Sequence, residues 1–81
     1  MDVTLGYLRE TLSNHLNRDV GKQIYKKLLH HQYKNEGDFV RDLNDGEMAF
    51  LNTILEKELR YAIEEQDEKR VKELNEVYEL L

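Results

Sequence analysis

The apolar residues of this chain recur at intervals of three and four along most of its length. Such spacing is typical of amphipathic α-helices, whereas the residues of strands alternate every two positions. Proline is absent, so no predicted helix contains a residue that lacks an amide donor. The pattern therefore predicts an all-α protein without strands, a small bundle of four to five amphipathic helices, with residues 1–81 forming a single helical domain.

Two apolar stripes occupy the first part of the chain. The first stripe consists of Leu5, Leu8, Leu12 and Leu16, and the second consists of Val20, Ile24, Leu28 and His31. Polar residues that favour helix caps separate them at positions 17–19, which favours a break near Asn17. The step from Leu16 to Val20 also keeps the phase of one continuous helix. We expect two helices, with one long helix as the alternative.

Asparagine residues precede the next two predicted helices. Asn35 and Asn44 are each followed three positions later by a carboxylate, an arrangement in which side chains satisfy the free amides of a first turn. A short helix follows the first asparagine, and the longest apolar pattern of the chain follows the second. That pattern consists of Met48, Leu51, Ile54, Leu55, Leu59, Ala62 and Ile63. Seven polar residues at 64–70 then precede a last stripe, and we expect the helix to bend or break near Asp67 rather than continue.

Length and composition limit the sources of stability. A chain of 81 residues buries one small core, which leaves its stability marginal unless something adds to it. The absence of cysteine excludes disulfides, thiolate metal sites and a thiol nucleophile. No segment has the roughly 20 apolar residues of a membrane span, and the first residues do not resemble a signal peptide. These features predict a cytoplasmic protein without membrane contact, for which self-association is the remaining source of stability.

The charges are divided unevenly along the chain. Residues 1–34 carry six basic and three acidic side chains, whereas residues 35–81 carry six basic and fourteen acidic ones. Opposite charge favours packing of the two parts on each other or on another copy. The sequence therefore predicts a protein partner or self-association, with a homodimer as one form of it.

The residue types that usually carry chemistry are not arranged as a site. Three histidines occur at positions 15, 30 and 31, but helical zinc ligands need a spacing of four on one face. The carboxylates between Glu56 and Glu68 alternate with lysine and arginine, which is typical of a solvated face with ion pairs four residues apart. No phosphate-binding loop or nucleophile motif is present. We predict no enzyme activity, metal, cofactor or small-molecule substrate.

One group of residues is a candidate interaction surface, which we call the basic stripe. It consists of Arg18, Lys22, Tyr25, Lys26, Lys27 and Tyr33. Lysines on one helical face are where phosphate contacts would begin, but the sequence pI near 5.1 argues against nucleic acid. Binding of the basic stripe to the acidic part of the chain or of another copy is the preferred interpretation, and nucleic-acid binding is the alternative.

Two other residue types have structural interpretations. Gly37 and Gly46 lie beside the predicted caps and are explained by turns, whereas Gly6 and Gly21 fall inside predicted helices. A glycine there costs about 1 kcal/mol relative to alanine, so close contact between helices is the expected reason for both. The five tyrosines flank the apolar stripes and are expected at the edges of the core, where the ring is buried and the hydroxyl is hydrated.

Four segments carry a resemblance to a known family. They are VTLGYLRE at 3–10, IYKKLL at 24–29, FVRDL at 39–43 and ELNEVYELL at 73–81. Together they resemble CsgA, a family of small sporulation proteins of spore-forming bacilli, over nearly the whole chain. The resemblance implies expression in the forespore under sigma-G and the label of a small acid-soluble spore protein. It supplies no functional residues, because the Gly-rich segment and Thr-Ser-Arg stretch of the DNA-coating spore proteins are missing.

These observations lead to two expectations about function. The first is a non-enzymatic, forespore-expressed helical protein that acts through protein–protein contacts. The alternative is an acid-soluble type of spore protein that binds nucleic acid through the basic stripe.

Overall fold

Five α-helices and one short 3₁₀ turn make up the computed structural model, which describes residues 2–81. The helices are α1 (Val3–Leu12), α2 (Asp19–His30), α3 (Glu36–Arg41), α4 (Asp45–Glu64) and α5 (Glu68–Tyr78), with the 3₁₀ turn at Ser13–His15. No strand occurs between residues 2 and 81. The predicted all-α fold is confirmed. The Cα atoms extend over 31 × 26 × 19 Å.

The connection between α1 and α2 is broken, as the polar residues near Asn17 predicted. Helix α1 ends at Leu12, so Leu16 lies outside it, and the prediction that Leu16 belongs to the first helical stripe is wrong. The second stripe is also shorter than predicted, because α2 ends at His30 and the side chain of His31 is exposed. The two stripes therefore belong to separate helices that pack on each other.

Gly21 explains how closely the 3₁₀ turn approaches α2. A Cβ atom added to Gly21 would stand less than 3.0 Å from the carbonyl oxygen of His15, a backbone atom that cannot rotate away. The predicted close contact is confirmed at this glycine. It is wrong for Gly6, since no atom lies within 4 Å of a Cβ built there.

The predicted caps of α3 and α4 are present. The side-chain oxygen of Asn35 accepts a hydrogen bond from the amide of Asp38 at 2.9 Å. At the start of α4, Asn44 accepts from the amide of Glu47 at 2.7 Å, and the carboxylate of Glu47 accepts from the amide of Asn44 at 2.9 Å. This reciprocal capping box satisfies two free amides. The glycines beside these caps, Gly37 and Gly46, lie within the first helical turns and do not have positive φ.

Helix α4 breaks before α5 through a tight corner at Gln66 and Asp67. The amide of Gln66 donates to the carbonyl of Ile63, and the amide of Asp67 donates to the carbonyl of Ala62, each at 3.0 Å. This is a Schellman motif, in which a left-handed residue ends the helix, and Gln66 has φ 57°. The side chain of Asp67 then accepts from the amide of Arg70 at 3.2 Å and caps α5. The predicted break near Asp67 is confirmed.

The core lies where the five helices meet. Helix α5 packs against α1, α3 and α4, while α2 packs against α1 and α4. The hydrophobic residues with no exposed surface are Leu8, Leu12, Ile24, Leu28, Phe39, Leu51, Leu55, Leu74 and Val77. Four tyrosines are half-buried at the edge of this core, as predicted, but Tyr61 is exposed, so that expectation is wrong for Tyr61.

Polar contacts attach α5 to α1 beside the core. The hydroxyl of Thr4 lies 2.7 Å from Oε2 of Glu73, which is buried, and 3.1 Å from Oε2 of Glu76. A hydroxyl has one proton to donate, so the two carboxylates share one donor there. At the other end of α1, Arg70 donates to the buried hydroxyl of Thr11 at 2.8 Å.

Candidate interaction surfaces

The residues of the basic stripe do not form one exposed surface. Lys22 and Lys26 are exposed on α2, one helical turn apart. Arg18 is also exposed, and its guanidinium lies 5.6 Å from the centre of the Phe50 ring, a cation–π distance. Tyr25 is half-buried and packs against the core. Two lysines of α2 and Arg18 are therefore available at the surface.

Lys27 belongs to an internal polar cluster. Its ammonium donates to Oε1 of Glu47 at 2.8 Å and to the carbonyl oxygen of Asp42 at 2.6 Å. Gln23 donates to the other oxygen of Glu47 at 2.8 Å. Because Asn44 also donates to this carboxylate, every oxygen of Glu47 has a partner. Lys27 thus joins α2 to the corner between α3 and α4 and is not a free cation.

The environment of Glu47 favours its ionised form. Its carboxylate is almost completely buried, with 1% of the side chain exposed, and burial acts to raise its pKa. The hydrogen bonds from Lys27, the Asn44 amide and Gln23 outweigh burial, so the pKa of Glu47 is lowered from its ordinary value. A buried carboxylate with charged and neutral donors on both oxygens is a structural element, since no face of it is open to a ligand.

Tyr33, the last member of the basic stripe, is fixed beside the same corner. Its hydroxyl donates to Oδ2 of Asp42 at 2.6 Å, and its ring meets the Phe39 ring edge to face at 5.5 Å between centroids. Partial burial and the neighbouring carboxylate of Asp42 raise the pKa of Tyr33, while the hydrogen bond from Tyr33 lowers that of Asp42. A ring held in this way is not presented for stacking on a base.

The histidines and carboxylates do not converge on a metal site in the part of the chain that the structure describes. His15 lies 3.0 Å from Glu58, and His31 lies 3.1 Å from the hydroxyl of Tyr33. The carboxylates between Glu56 and Glu68 are exposed apart from Glu58. Within residues 2–81, none of them lies within 4.0 Å of Lys57, Arg60, Lys69 or Lys72. The face that carries these carboxylates is solvated, as predicted. The prediction that they form ion pairs four residues apart is wrong.

An exposed apolar surface lies where α4 and α5 meet. We call it the α4–α5 surface; it consists of the exposed Ile63 and the half-buried Val71 and Tyr78, with the buried Leu59 and Ala62 beneath them. Ile63 is its most exposed member, with 62% of its surface accessible. It separates two shallow depressions, one lined by Ala62 and Val71 and the other by Leu59 and Tyr78. The exposed Ile63 and the two depressions beside it make this region a candidate contact surface.

The border of the α4–α5 surface is acidic. Glu56, Asp67 and Glu68 line the two depressions together with a single cation, Arg60. Glu64 follows Ile63 in sequence and is exposed. The tyrosine hydroxyl of Tyr78 donates to Glu56 at 3.2 Å, and this contact raises the pKa of Tyr78. The apolar centre is therefore bordered by three carboxylates and one guanidinium.

The sequence pattern did not identify this surface. Ile63 continues the apolar pattern of the long helix, which predicted that it faces the core, and that prediction is wrong because Ile63 is exposed. The core side of α4 is filled by Leu55, Leu59 and Ala62, and α4 ends one residue after Ile63. The signal was available in the spacing, since Ala62 and Ile63 are adjacent and point about 100° apart on a helix.

A third concave region lies at the end of α2. It has a volume of about 450 Å³, and its floor includes the buried residues Leu5 and Leu28. Leu29, His31 and Lys34 stand at its rim. The volume falls within the range of small-molecule pockets, and Asp2, Gln32 and Tyr33 also line it. None of the helices between residues 2 and 81 is sufficiently long and apolar to cross a bilayer.

Comparison with known proteins assigns the chain to a family. A family model named CsgA and described as "Minor curli fiber component A" matches residues 1–81. The chain is also 67% identical over 81 residues to the "Sigma-G-dependent sporulation-specific SASP protein" of Bacillus subtilis (strain 168), covering 100% of this chain and 99% of the relative. No solved structure matches. The resemblance seen in the sequence is thereby confirmed, and the chain belongs to the CsgA family, as a sporulation-associated small protein.

Proposed function

We propose that this protein acts in the forespore, without enzyme activity, by binding another protein chain through the α4–α5 surface. The observation that carries the proposal is the exposure of Ile63 at 62% between two apolar depressions. Burying exposed apolar area is the main driving force of protein association. The sporulation-specific relative supports the forespore as the place of action and sporulation as its time.

The charges around the site are consistent with selective binding. Three carboxylates near one guanidinium give the border a net negative charge, which favours a partner with a basic surface and repels an acidic one. The contact therefore has an apolar centre for affinity and a charged border for selection, the usual arrangement of transient protein interfaces.

Site-specific photo-crosslinking in sporulating cells tests this proposal. A photoreactive residue is placed at position 63, and the matched control carries it at position 3, because Val3 is equally exposed at 61% but lies on α1. We expect a discrete adduct to form from position 63 during sporulation and not from position 3. Equal labelling from both positions, or no adduct from position 63, would overturn the proposal.

Nucleic-acid binding through α2 is the second candidate. It is favoured by the exposure of Lys22 and Lys26 on one face of α2 and by the name of the relative, an SASP protein. Against it, Lys27 is held by Glu47 and Asp42, and the Tyr33 ring packs on Phe39. Few cations of the basic stripe therefore remain available to contact phosphates.

A salt titration of DNA retardation tests the second candidate. If the protein binds DNA through α2, replacing Lys22 and Lys26 by glutamine lowers both the affinity and its dependence on salt. Replacing Lys57 and Lys72, which are also exposed but lie on α4 and α5, is the matched control. Absence of retardation at low salt removes this candidate.

A further inference from the structure

We infer that the partner at the α4–α5 surface is a second copy of this chain, which contributes the exposed face of α2. This inference rests on the proposed function and names the partner of the same surface. Each copy carries both surfaces, so the contact is head-to-tail. It either closes through a reciprocal second contact or continues to further copies.

The exposed face of α2 has the features that the α4–α5 surface requires. Lys22, Lys26 and Leu29 lie within about 60° of one another around the helix axis, and all three are exposed. Leu29 keeps 48% of its surface accessible. The face therefore presents one exposed leucine beside two ammonium groups, which complements one exposed isoleucine surrounded by carboxylates.

The charged groups on both surfaces lack ion-pair partners within the described chain. In residues 2–81, no carboxylate lies within 4.0 Å of the ammonium of Lys22 or Lys26, and no cation lies within 4.0 Å of the carboxylate of Glu56 or Glu68. Lys27, by contrast, is matched internally to Glu47 at 2.8 Å. The cations on the outer side of α2 are thus free to pair with another molecule.

Pairing of like surfaces is disfavoured by the same charges. Two α4–α5 surfaces facing each other would bring their carboxylate borders together, and two α2 faces would bring their lysines together. Like charges at an interface cost free energy, whereas opposite charges favour and orient the encounter. Among contacts between two copies, the pairing of α2 with the α4–α5 surface is the one in which apolar and charged groups both match.

The small size of the domain favours self-association. A domain of 81 residues has a small core, and neither a disulfide nor a metal site adds to the stability of the described part. Burying Ile63 and Leu29 against each other removes two of the most exposed large apolar side chains from water. Association therefore stabilises the folded chain by mass action.

Sedimentation velocity over the micromolar to millimolar range tests the inference. We expect the average mass of the wild-type protein to rise with concentration and to fall at high ionic strength, because salt screens the charges. Ile63→Ser raises the dissociation constant about tenfold or more, whereas Val3→Ser leaves it unchanged. Circular dichroism checks that both variants keep their helices. A wild-type monomer at every concentration, or equal effects of the two serine variants, overturns the inference.

Charge reversal identifies which surfaces meet. The variant Lys22→Glu/Lys26→Glu and the variant Glu56→Lys/Glu68→Lys should each fail to self-associate, because each places like charges across the contact. Mixing them restores association, since every contact between one variant and the other again joins opposite charges. Failure of the mixture to associate overturns the pairing of α2 with the α4–α5 surface.

The crosslinking experiment separates this inference from the proposed function. An adduct from position 63 with the mass of two copies supports both. An adduct from position 63 with a different protein leaves the proposed function in place and overturns the assignment of a second copy. Absence of an adduct overturns the proposed function as well.

Discussion

Replacing each of the two helical glycines by alanine separates helix propensity from close packing. In α1, a Cβ at Gly6 has no neighbour within 4 Å, so Gly6→Ala should raise the free energy of unfolding by about 0.5–1 kcal/mol through propensity and unfolded-state entropy. In α2, a Cβ at Gly21 would stand less than 3.0 Å from the His15 carbonyl oxygen and 3.4 Å from Cζ of Phe50.

The cost at Gly21 follows from the atoms that would have to move. Alanine there gains about 1 kcal/mol of helix propensity, but the 3₁₀ turn and α2 must separate because a backbone oxygen blocks the Cβ. Overpacking that shifts backbone costs about 1–3 kcal/mol. Set against the gain in propensity, we expect a net loss of up to about 2 kcal/mol, which lowers the Tm by up to roughly 10 °C in a chain of this size.

Urea unfolding followed by circular dichroism at one pH measures both variants against the wild type. The two alanine variants should change stability in opposite directions with similar m-values. An increase in stability for Gly21→Ala that equals the increase for Gly6→Ala would refute the reasoning, because it would mean that the turn after α1 moves away from α2 at no cost.

Two further substitutions test buried carboxylates. Glu47→Gln should lower the free energy of unfolding by about 2 kcal/mol at neutral pH, because Lys27 loses its charged partner. The folded-state pKa of Glu47 lies below its ordinary value of 4.5. The stabilisation is therefore present above pH 4.5 and is lost as the pH falls through the folded-state pKa. Urea titrations at neutral and acidic pH should show that acid lowers the free energy of unfolding less in the variant than in the wild type. Equal losses of stability would contradict the stabilising role of the ionised Glu47. Thr4→Val should cost about 1–3 kcal/mol in thermal unfolding, since buried Glu73 loses the hydroxyl that lies 2.7 Å away; an unchanged Tm would show that water replaces the donor.

Local features of the fold could be predicted from the sequence. Asn44 and Glu47 are three residues apart, so their capping box depends only on the first turn of α4. The break at Asp67 was likewise indicated by a polar segment without core residues. Such features depend on residues that are near one another in the chain, and the helix boundaries followed from them to within a few residues.

Features that depend on packing between distant segments could not be predicted. Lys27 was assigned to a surface stripe, but it binds Glu47, which lies 20 residues away. Ile63 was assigned to the core by its spacing, yet the orientation of α4 against α5 leaves it exposed. In both cases the residue lies in the predicted helix. The direction of its side chain depends on how that helix packs against its neighbours, which the sequence does not reveal. The candidate site was therefore the least predictable part of the molecule.

The corner at Asp67 affects the entropy of binding at the neighbouring α4–α5 surface. The amide of Asp67 ends α4, and its side chain begins α5, so no flexible linker separates the two helices. The relative orientation of Ile63 and Val71 is then fixed before any partner arrives. A preorganised surface loses little conformational entropy on binding, so ordering of the two helices takes little from the affinity of a small apolar contact.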